Sequence, residues 1–382
     1  MSPRKPKILL LLHEMTRNGA SKVMLDGFRL LQEDYEVMIV SAKGGPLEPQ
    51  FATLGATAVL TRDELDMPVA QRVRAALAAR LQRARIGRRV KAFGPDMIYI
   101  NTIAALPLVN FVRLPPAPVL LHIHELDSQL DIYAPQCAAP FRDLPNRYVA
   151  DSEAVRRCLI ERFGVPPEAV SVVFEFIADD SVRDVAPPGG QPSERPFVVG
   201  SAGNPHWRKG ELLWLEMASE LVTLMGEDRV RFRWVGVRDS VEGRIFRLVA
   251  GKMPISPLVE LVPETDDPLG AFEGFDVFTV TSWEEPFSIV MAEAMMLGKP
   301  GLCFAGCGGT PEVIGDAGTV VPRFSARAMA EEIAALAADP DRMRAMGQAS
   351  RRRVLENFLA SHQVPRLKQE IDAVLQMRPR GG

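Results

Sequence analysis

The feature that most restricts this chain is a run of five consecutive apolar residues, Ile8–Leu12 in the segment KILLLL. A strand with one solvated face alternates apolar and polar positions, so an unbroken run fits a parallel strand covered on both faces. The loop HEMTRNGAS leads from it into a helical pattern, VMLDGFRLLQ. The strand signal then returns in YEVMIVSA, TAVL, DMIYINT, PVLLHIHE and RYVADS, separated by helical segments, and in VSVVFEFI as a final strand. Strands alternating with helices predict an α/β chain with a doubly wound parallel sheet, which binds ligands at the carboxyl ends of its strands. From Ala178 to Pro196 two Pro/Gly clusters and sparse apolar content read as a linker, after which PFVVGSAG restarts the pattern. A length of 382 residues with 47% hydrophobic content provides for two such cores.

Charge and composition narrow the function classes. A net charge of −3 argues against a dedicated nucleic-acid binder, which is usually basic. No apolar run approaches the roughly 20 residues that span a bilayer. The N-terminal KILLLL meets His13, Glu14 and Arg17 too soon and lacks a small-residue cleavage site, so it reads as a first strand rather than a signal peptide. Cys137, Cys158, Cys303 and Cys307 show neither zinc nor redox spacing, as expected of reduced thiols in a cytoplasmic protein. Residues 72–91 hold eight basic residues and no acidic one, with Val73, Leu77 and Leu81 at helical spacing. Such a stripe suits the solvated face of a core-packed helix. It also suits peripheral contact with the inner face of an anionic membrane, where a lipid-linked acceptor would be in reach.

The chemistry concentrates in Thr279–Pro300, TVTSWEEPFSIVMAEAMMLGKP. Pro286 restricts Glu285 to an extended conformation, which predicts a helix starting at Pro286 or just after it and puts Glu285 on a loop lip. Gly298, Lys299 and Pro300 form the stop. The first-turn amides, at Phe287, Ser288 and Ile289, then make an anion site, with Glu285 before it and Glu293 about two turns inside. That layout suits a sugar nucleotide, although solvated glutamates on a surface helix would give the same spacing. NPHWRKG places Arg208 and Lys209 beyond a strand's carboxyl end, where two cations can neutralise a diphosphate; neither G-x-G-x-x-G nor a Walker loop is present. Gly19 and Ala20 open a helix whose amides a ligand could approach, or simply form a tight turn. His122 and His124 lie on one face of their strand. With no third and fourth ligand nearby in sequence, H-x-H-E is read as a cleft feature rather than a metal site. Thr310-Pro311-Glu312 supplies a second helix start, with Pro at its first position.

TSWEEPFSIVMAEAMMLGKP resembles the E-x7-E region of the retaining GT-B glycosyltransferases of family four, which typically read strand, Pro/Ser, E-G-F-G, helix, L-E-A and G-x-P. Here Pro286 and Ser288 replace the glycines around Phe287. The RKG loop resembles that family's pyrophosphate segment, with Asn204 where many relatives carry Arg, and HIHE resembles its cleft histidine, carried onto His124 with His122 left open. The resemblance implies two Rossmann-like domains facing across a cleft: an acceptor-side domain over 1–185, a nucleotide-sugar domain over 186–355, and a helix over 356–382 crossing back. It implies transfer of a hexose-type sugar from a UDP- or GDP-sugar to a glycan, lipid-linked or small-molecule hydroxyl, in polysaccharide or glycoconjugate synthesis, with no metal and no further cofactor. Arg208 and Lys209 would hold the diphosphate, Glu293 the ribose, Glu285 the donor sugar, and His124 would orient that sugar. Alternatives are a nucleotide-sugar epimerase of the same fold and a catalytically silent sugar-nucleotide binder, which Pro286 and Ser288 suggest.

Overall fold

The computed structural model describes residues 4–60, 69–112, 114–183 and 195–379. Most of the expected linker, 184–194, lies outside them, as do the side chains of Val73 and Leu77. The chain divides into two compact units, Met1–Glu175 with Ala360–Gly382, and Phe176–Leu359.

The first unit is built on seven parallel strands: β1 Lys7–Leu12, β2 Glu36–Ser41, β3 Gly55–Val59, β4 Met97–Asn101, β5 Val119–Ile123, β6 Arg147–Ala150 and β7 Val170–Val172. Their order is β3-β2-β1-β4-β5-β6-β7. Ile8 through Leu12 are fully buried, as the unbroken apolar run requires of a strand covered on both faces. The last strand is shorter than VSVVFEFI suggests, because pairing with β6 ends at Val172. The strand order switches between β1 and β4, which are parallel like the rest, and such a switch point opens a crevice at the strands' carboxyl ends.

The second unit repeats the plan with β8 Phe197–Ala202, β9 Val230–Val235, β10 Val259–Val262, β11 Val277–Val280, β12 Gly301–Phe304 and β13 Thr319–Val321, in the order β10-β9-β8-β11-β12-β13. Its switch point lies between β8 and β11. Trp214, Trp234 and Phe246 pack edge to face beneath this sheet. Both indole N–H groups find acceptors, Trp214 at Thr279 Oγ1 and Trp234 at the Gly203 carbonyl, so burying them leaves no donor unmatched. The second bond also fixes the backbone where β8 runs out into its loop.

The C-terminal helix Ala360–Leu375 packs with the first unit: Asp372 accepts from Tyr35 at 2.6 Å, and Gln363 accepts from the Phe174 amide. The division falls at Glu175/Phe176 and Leu359/Ala360 because Ile177 N–H bonds Phe358 C=O at 2.8 Å and Ile177 pairs with Leu359. The outgoing and returning segments therefore travel together at the edge of the second unit. The basic stretch is part of one long helix, Val69–Phe93, in which Ile86 and Val90 are buried while Leu81 faces solvent. Among the described residues no helix is long and apolar enough to cross a membrane.

Candidate active site

At the β8/β11 switch point two chain segments are locked together. After β8, Trp207–Lys209 form a single 3-10 turn, with the His206 ring accepting from the Arg208 amide. Gly210 closes the turn at φ +65°, a left-handed conformation, and a Cβ there would stand 2.1 Å from the Thr281 carbonyl oxygen. Only glycine allows that approach. The Thr281 hydroxyl donates to the Gly210 carbonyl at 3.0 Å, and the Trp283 amide donates to the Arg208 carbonyl at 2.7 Å. This stitching puts Lys209 against the expected acid and Arg208 against the backbone just before it. Lys209 Nζ lies 2.5 Å from Glu285 Oε2, and Arg208 Nη1 donates to the Glu284 carbonyl at 2.9 Å. Ser282 Oγ donates to the same Glu285 oxygen at 3.0 Å.

Two expectations are corrected here. Glu285 does not sit on an open lip; it is only 7% exposed, and its backbone pairs with a distant loop, its N–H to Cys307 C=O and its C=O to Gly309 N–H. That pairing holds Pro286–Ser288 out of helical conformation, so the helix runs Ile289–Met296 with Ser288 at the N-cap. The first-turn amides therefore belong to Ile289 and its successors, while Phe287 precedes the helix. Glu293 is its fifth residue, little more than one turn in, and is buried. Gly298, at φ +73°, follows the helix end as the sequence implied. The Ser288 side chain makes no capping bond, and its Oγ is buried without a hydrogen-bond partner. The Thr310 hydroxyl, at the start of the helix Thr310–Ile314, is in the same state one residue past the loop that pairs with Glu285. Buried orphan hydroxyls are uncommon in folded proteins.

The first unit has its own cluster at the β1/β4 switch point. Gly19 and Ala20 begin the helix Gly19–Leu30, capped by Asn18, whose Oδ1 accepts from the Ser21 amide. Asn101, the last residue of β4, donates to the Ala20 carbonyl at 3.4 Å and accepts from His124 Nε2 at 2.9 Å. The next residue, Thr102, is the one non-glycine among the described residues with left-handed φ, at +74°. His122 and His124 share a face of β5, as alternation predicts, with ring centroids 4.1 Å apart. His122 Nδ1 meets the Tyr99 hydroxyl at 2.6 Å, and burial, then the neighbouring His124, pushes its pKa well down.

His124 Nδ1 faces two carboxylates absent from the sequence-derived site, Glu175 at 3.1 Å and Asp151 at 3.6 Å. Burial alone would lower the His124 pKa, but the bonded carboxylates outweigh it and raise it to about 10. Both ring nitrogens thus have partners within the unit. Asp151 and Glu175 stand 27 and 51 residues beyond His124, and only their positions just past strand ends offered a sequence signal.

A family model for Glycosyltransferase Family 4 matches residues 17–180, and one for Glycosyl transferases group 1 matches residues 196–339. The chain belongs to these glycosyltransferases. Among solved structures, this glycosyltransferase is similar to Anabaena HepE in complex with UDP and glucose, at 17% identity over 96% of this chain and 100% of that one, with a TM-score of 0.78. It is also similar to sucrose-phosphate synthase from Thermosynechococcus elongatus, at 19% identity over 97% and 99% of the two chains and TM-score 0.76. WaaG, a glycosyltransferase of lipopolysaccharide biosynthesis, follows at 14% identity over 97% and 100%, TM-score 0.73. At these identities the likeness establishes the fold, GT-B with two Rossmann-like parallel-sheet units. No curated protein sequence matches the chain.

Proposed function

We propose that the chain is a retaining glycosyltransferase that moves a hexose-type sugar from a UDP- or GDP-sugar to an acceptor hydroxyl of a glycan, lipid-linked or small-molecule substrate. The observation that carries this reading is the convergence of Arg208, Lys209, Glu285 and the Ser288 helix cap on one sheet switch point, two of them as a direct ion pair. As the glycosidic bond opens, negative charge develops on the leaving diphosphate. Arg208, Lys209 and the amides at Ile289 and beyond supply positive charge to it, so the transfer step needs no metal. Lys209 exchanges Glu285 for phosphate when the donor arrives, and the released Glu285 carboxylate takes up donor-sugar hydroxyls; Glu293 takes the ribose. Gly19 and Ala20 belong to the donor contacts through the backbone of their helix start. HepE has been solved with UDP-glucose, which supports a uridine donor as the first to try. The reaction belongs to bacterial polysaccharide or glycoconjugate synthesis on the cytoplasmic side, with the basic helix Val69–Phe93 resting on the inner membrane face.

A panel of nucleoside diphosphates and their sugars, read by thermal shift and then by donor turnover, tests this. A rise in melting temperature with one nucleotide, followed by sugar release with retained anomeric configuration, supports the transferase. An altered free sugar would indicate an epimerase, and binding without turnover a silent binder. Failure of every donor to bind would remove the reading.

A further inference from the structure

Thr102 combines two irregularities that packing does not explain. Its backbone stands at φ 74° and ψ 149°, close to a region that essentially only glycine enters and that crowds a branched side chain most. Its Oγ1 is buried without a hydrogen-bond partner, although the residue precedes the 3-10 turn Ile103–Ala105, where a threonine hydroxyl ordinarily serves as a cap. Strain and an unmatched hydroxyl at one residue together call for a reason.

The neighbouring bonds show how the conformation is imposed. Asn101, just before it, is held between the His124 ring at 2.9 Å and the Ala20 carbonyl at 3.4 Å. The Thr102 amide donates to the His122 carbonyl at 2.8 Å. The Ile103 amide donates to Glu125 Oε2 at 3.3 Å, and the same oxygen accepts from the His124 amide at 3.0 Å. Three consecutive residues are therefore tied to the end of β5, while the Thr102 hydroxyl is tied to none of it. Backbone strain persists only where the surroundings over-determine it, and such places cluster at binding and catalytic sites.

The chemistry left over narrows the ligand. Thr102 directly follows β4, one of the two strands of the first unit's switch point, where a doubly wound sheet takes its ligand. The amides of Thr102 and Ile103 are already used, so this turn offers no pair of N–H groups to a phosphate. What remains is a neutral group that can both donate and accept, and its natural complement is another hydroxyl. In a glycosyltransferase that means a saccharide.

We propose that Thr102 Oγ1 binds a hydroxyl of the saccharide handled at this switch point, and that the clamped backbone fixes where that oxygen stands. The inference rests on the transferase reading given above. The hydroxyl belongs either to the transferred sugar or to the acceptor, and the test separates the two.

The full-length protein is assayed with the donor that the nucleotide panel selects, UDP-glucose first, using water as acceptor and then added methyl hexosides. Thr102→Val keeps the shape and removes the hydroxyl. Its melting temperature and nucleotide thermal shift should match wild type, because no bond within the protein is lost, while turnover falls about three- to tenfold. Thr102→Ser, which keeps the hydroxyl, should stay near the wild-type rate. A fall already present in hydrolysis assigns the bound hydroxyl to the transferred sugar; a raised KM for the methyl hexoside with hydrolysis unchanged assigns it to the acceptor. Thr102→Gly should melt above Thr102→Ala, the reverse of the order at an unstrained position. Wild-type kinetics in Thr102→Val with both acceptors overturn the proposal, and so does Thr102→Ala melting above Thr102→Gly. If wild type turns over no donor, the transferase reading falls and this inference falls with it; if wild type is active and Thr102→Val equally so, this inference alone falls.

Discussion

Lys209 and Glu285, 76 residues apart in the chain, meet at 2.5 Å between Nζ and Oε2. The pair forms because Gly210 lets the turn after β8 lie directly on the chain leaving β11. In the absence of a donor each charge satisfies the other, so neither is stranded in a mostly buried place. Under the proposed function, donor binding exchanges one partner for phosphate and the other for sugar hydroxyls. Lys209→Ala and Glu285→Ala should each lower transfer by about a hundredfold or more while the fold survives. Donor turnover with far-UV circular dichroism on the same samples checks this, and wild-type rates in both variants would defeat the site assignment.

Ser288 gives a prediction in which stability and binding part company. Its hydroxyl is buried, caps nothing and has no partner, so Ser288→Ala removes an orphan polar group rather than a bond. The free protein should keep its melting temperature or gain slightly, whereas N-cap replacements that break a bond cost about 1 kcal/mol. Nucleotide affinity should fall by about tenfold, the worth of one hydrogen bond to a charged acceptor. Thermal melts with and without the best-binding nucleoside diphosphate separate the two effects.

Gly210 tests the stitching itself. An alanine there would adopt a left-handed conformation and drive its Cβ to 2.1 Å from the Thr281 carbonyl oxygen, a backbone atom that cannot swing aside. Gly210→Ala should destabilise the protein by at least about 2 kcal/mol and displace Arg208 and Lys209, so nucleotide binding is lost with it. Chemical denaturation gives the first number and the nucleotide thermal shift the second.

A pH dependence follows from Asp372, which joins the C-terminal helix to Tyr35. Burial alone would raise this carboxyl, but hydrogen bonds from Lys368 and Tyr35 outweigh it and hold it below the ordinary value. A carboxyl with a depressed folded-state pKa stabilises the protein fully above the unfolded value, and that contribution is lost as pH falls through the folded value. The side chain is half exposed, which limits the effect through screening. Asp372→Asn should cost about 0.5–1 kcal/mol at neutral pH and show a shallower loss of stability below about pH 4 than wild type. Urea unfolding at both pH values measures it; equal slopes would remove Asp372 from the account.

Much of this molecule was written locally. The apolar run Ile8–Leu12 falls in β1, the strand pattern in PFVVGSAG in β8, and the Gly298 stop coincides with a left-handed residue after the helix. Such features depend on side-chain period and backbone freedom within a few residues, and these are what a sequence displays. The identities of Arg208, Lys209, Glu285 and Glu293 as candidates were legible for the same reason: each stands at a fixed offset from a strand end or helix start.

Tertiary structure decided the rest. Pro286 was compatible with a helix beginning at once, but pairing of Glu285 with Cys307 and Gly309 keeps the next three residues out of it and moves the amide cluster to Ile289. Nothing within those residues encodes a partner some twenty positions away. The surroundings of His124 are likewise set at a distance: β6 and the chain beyond β7 bring Asp151 and Glu175 against one of its nitrogens while β4 brings Asn101 to the other. Sequence period sets which face a side chain occupies; what shares that face is set by the order in which strands join the sheet.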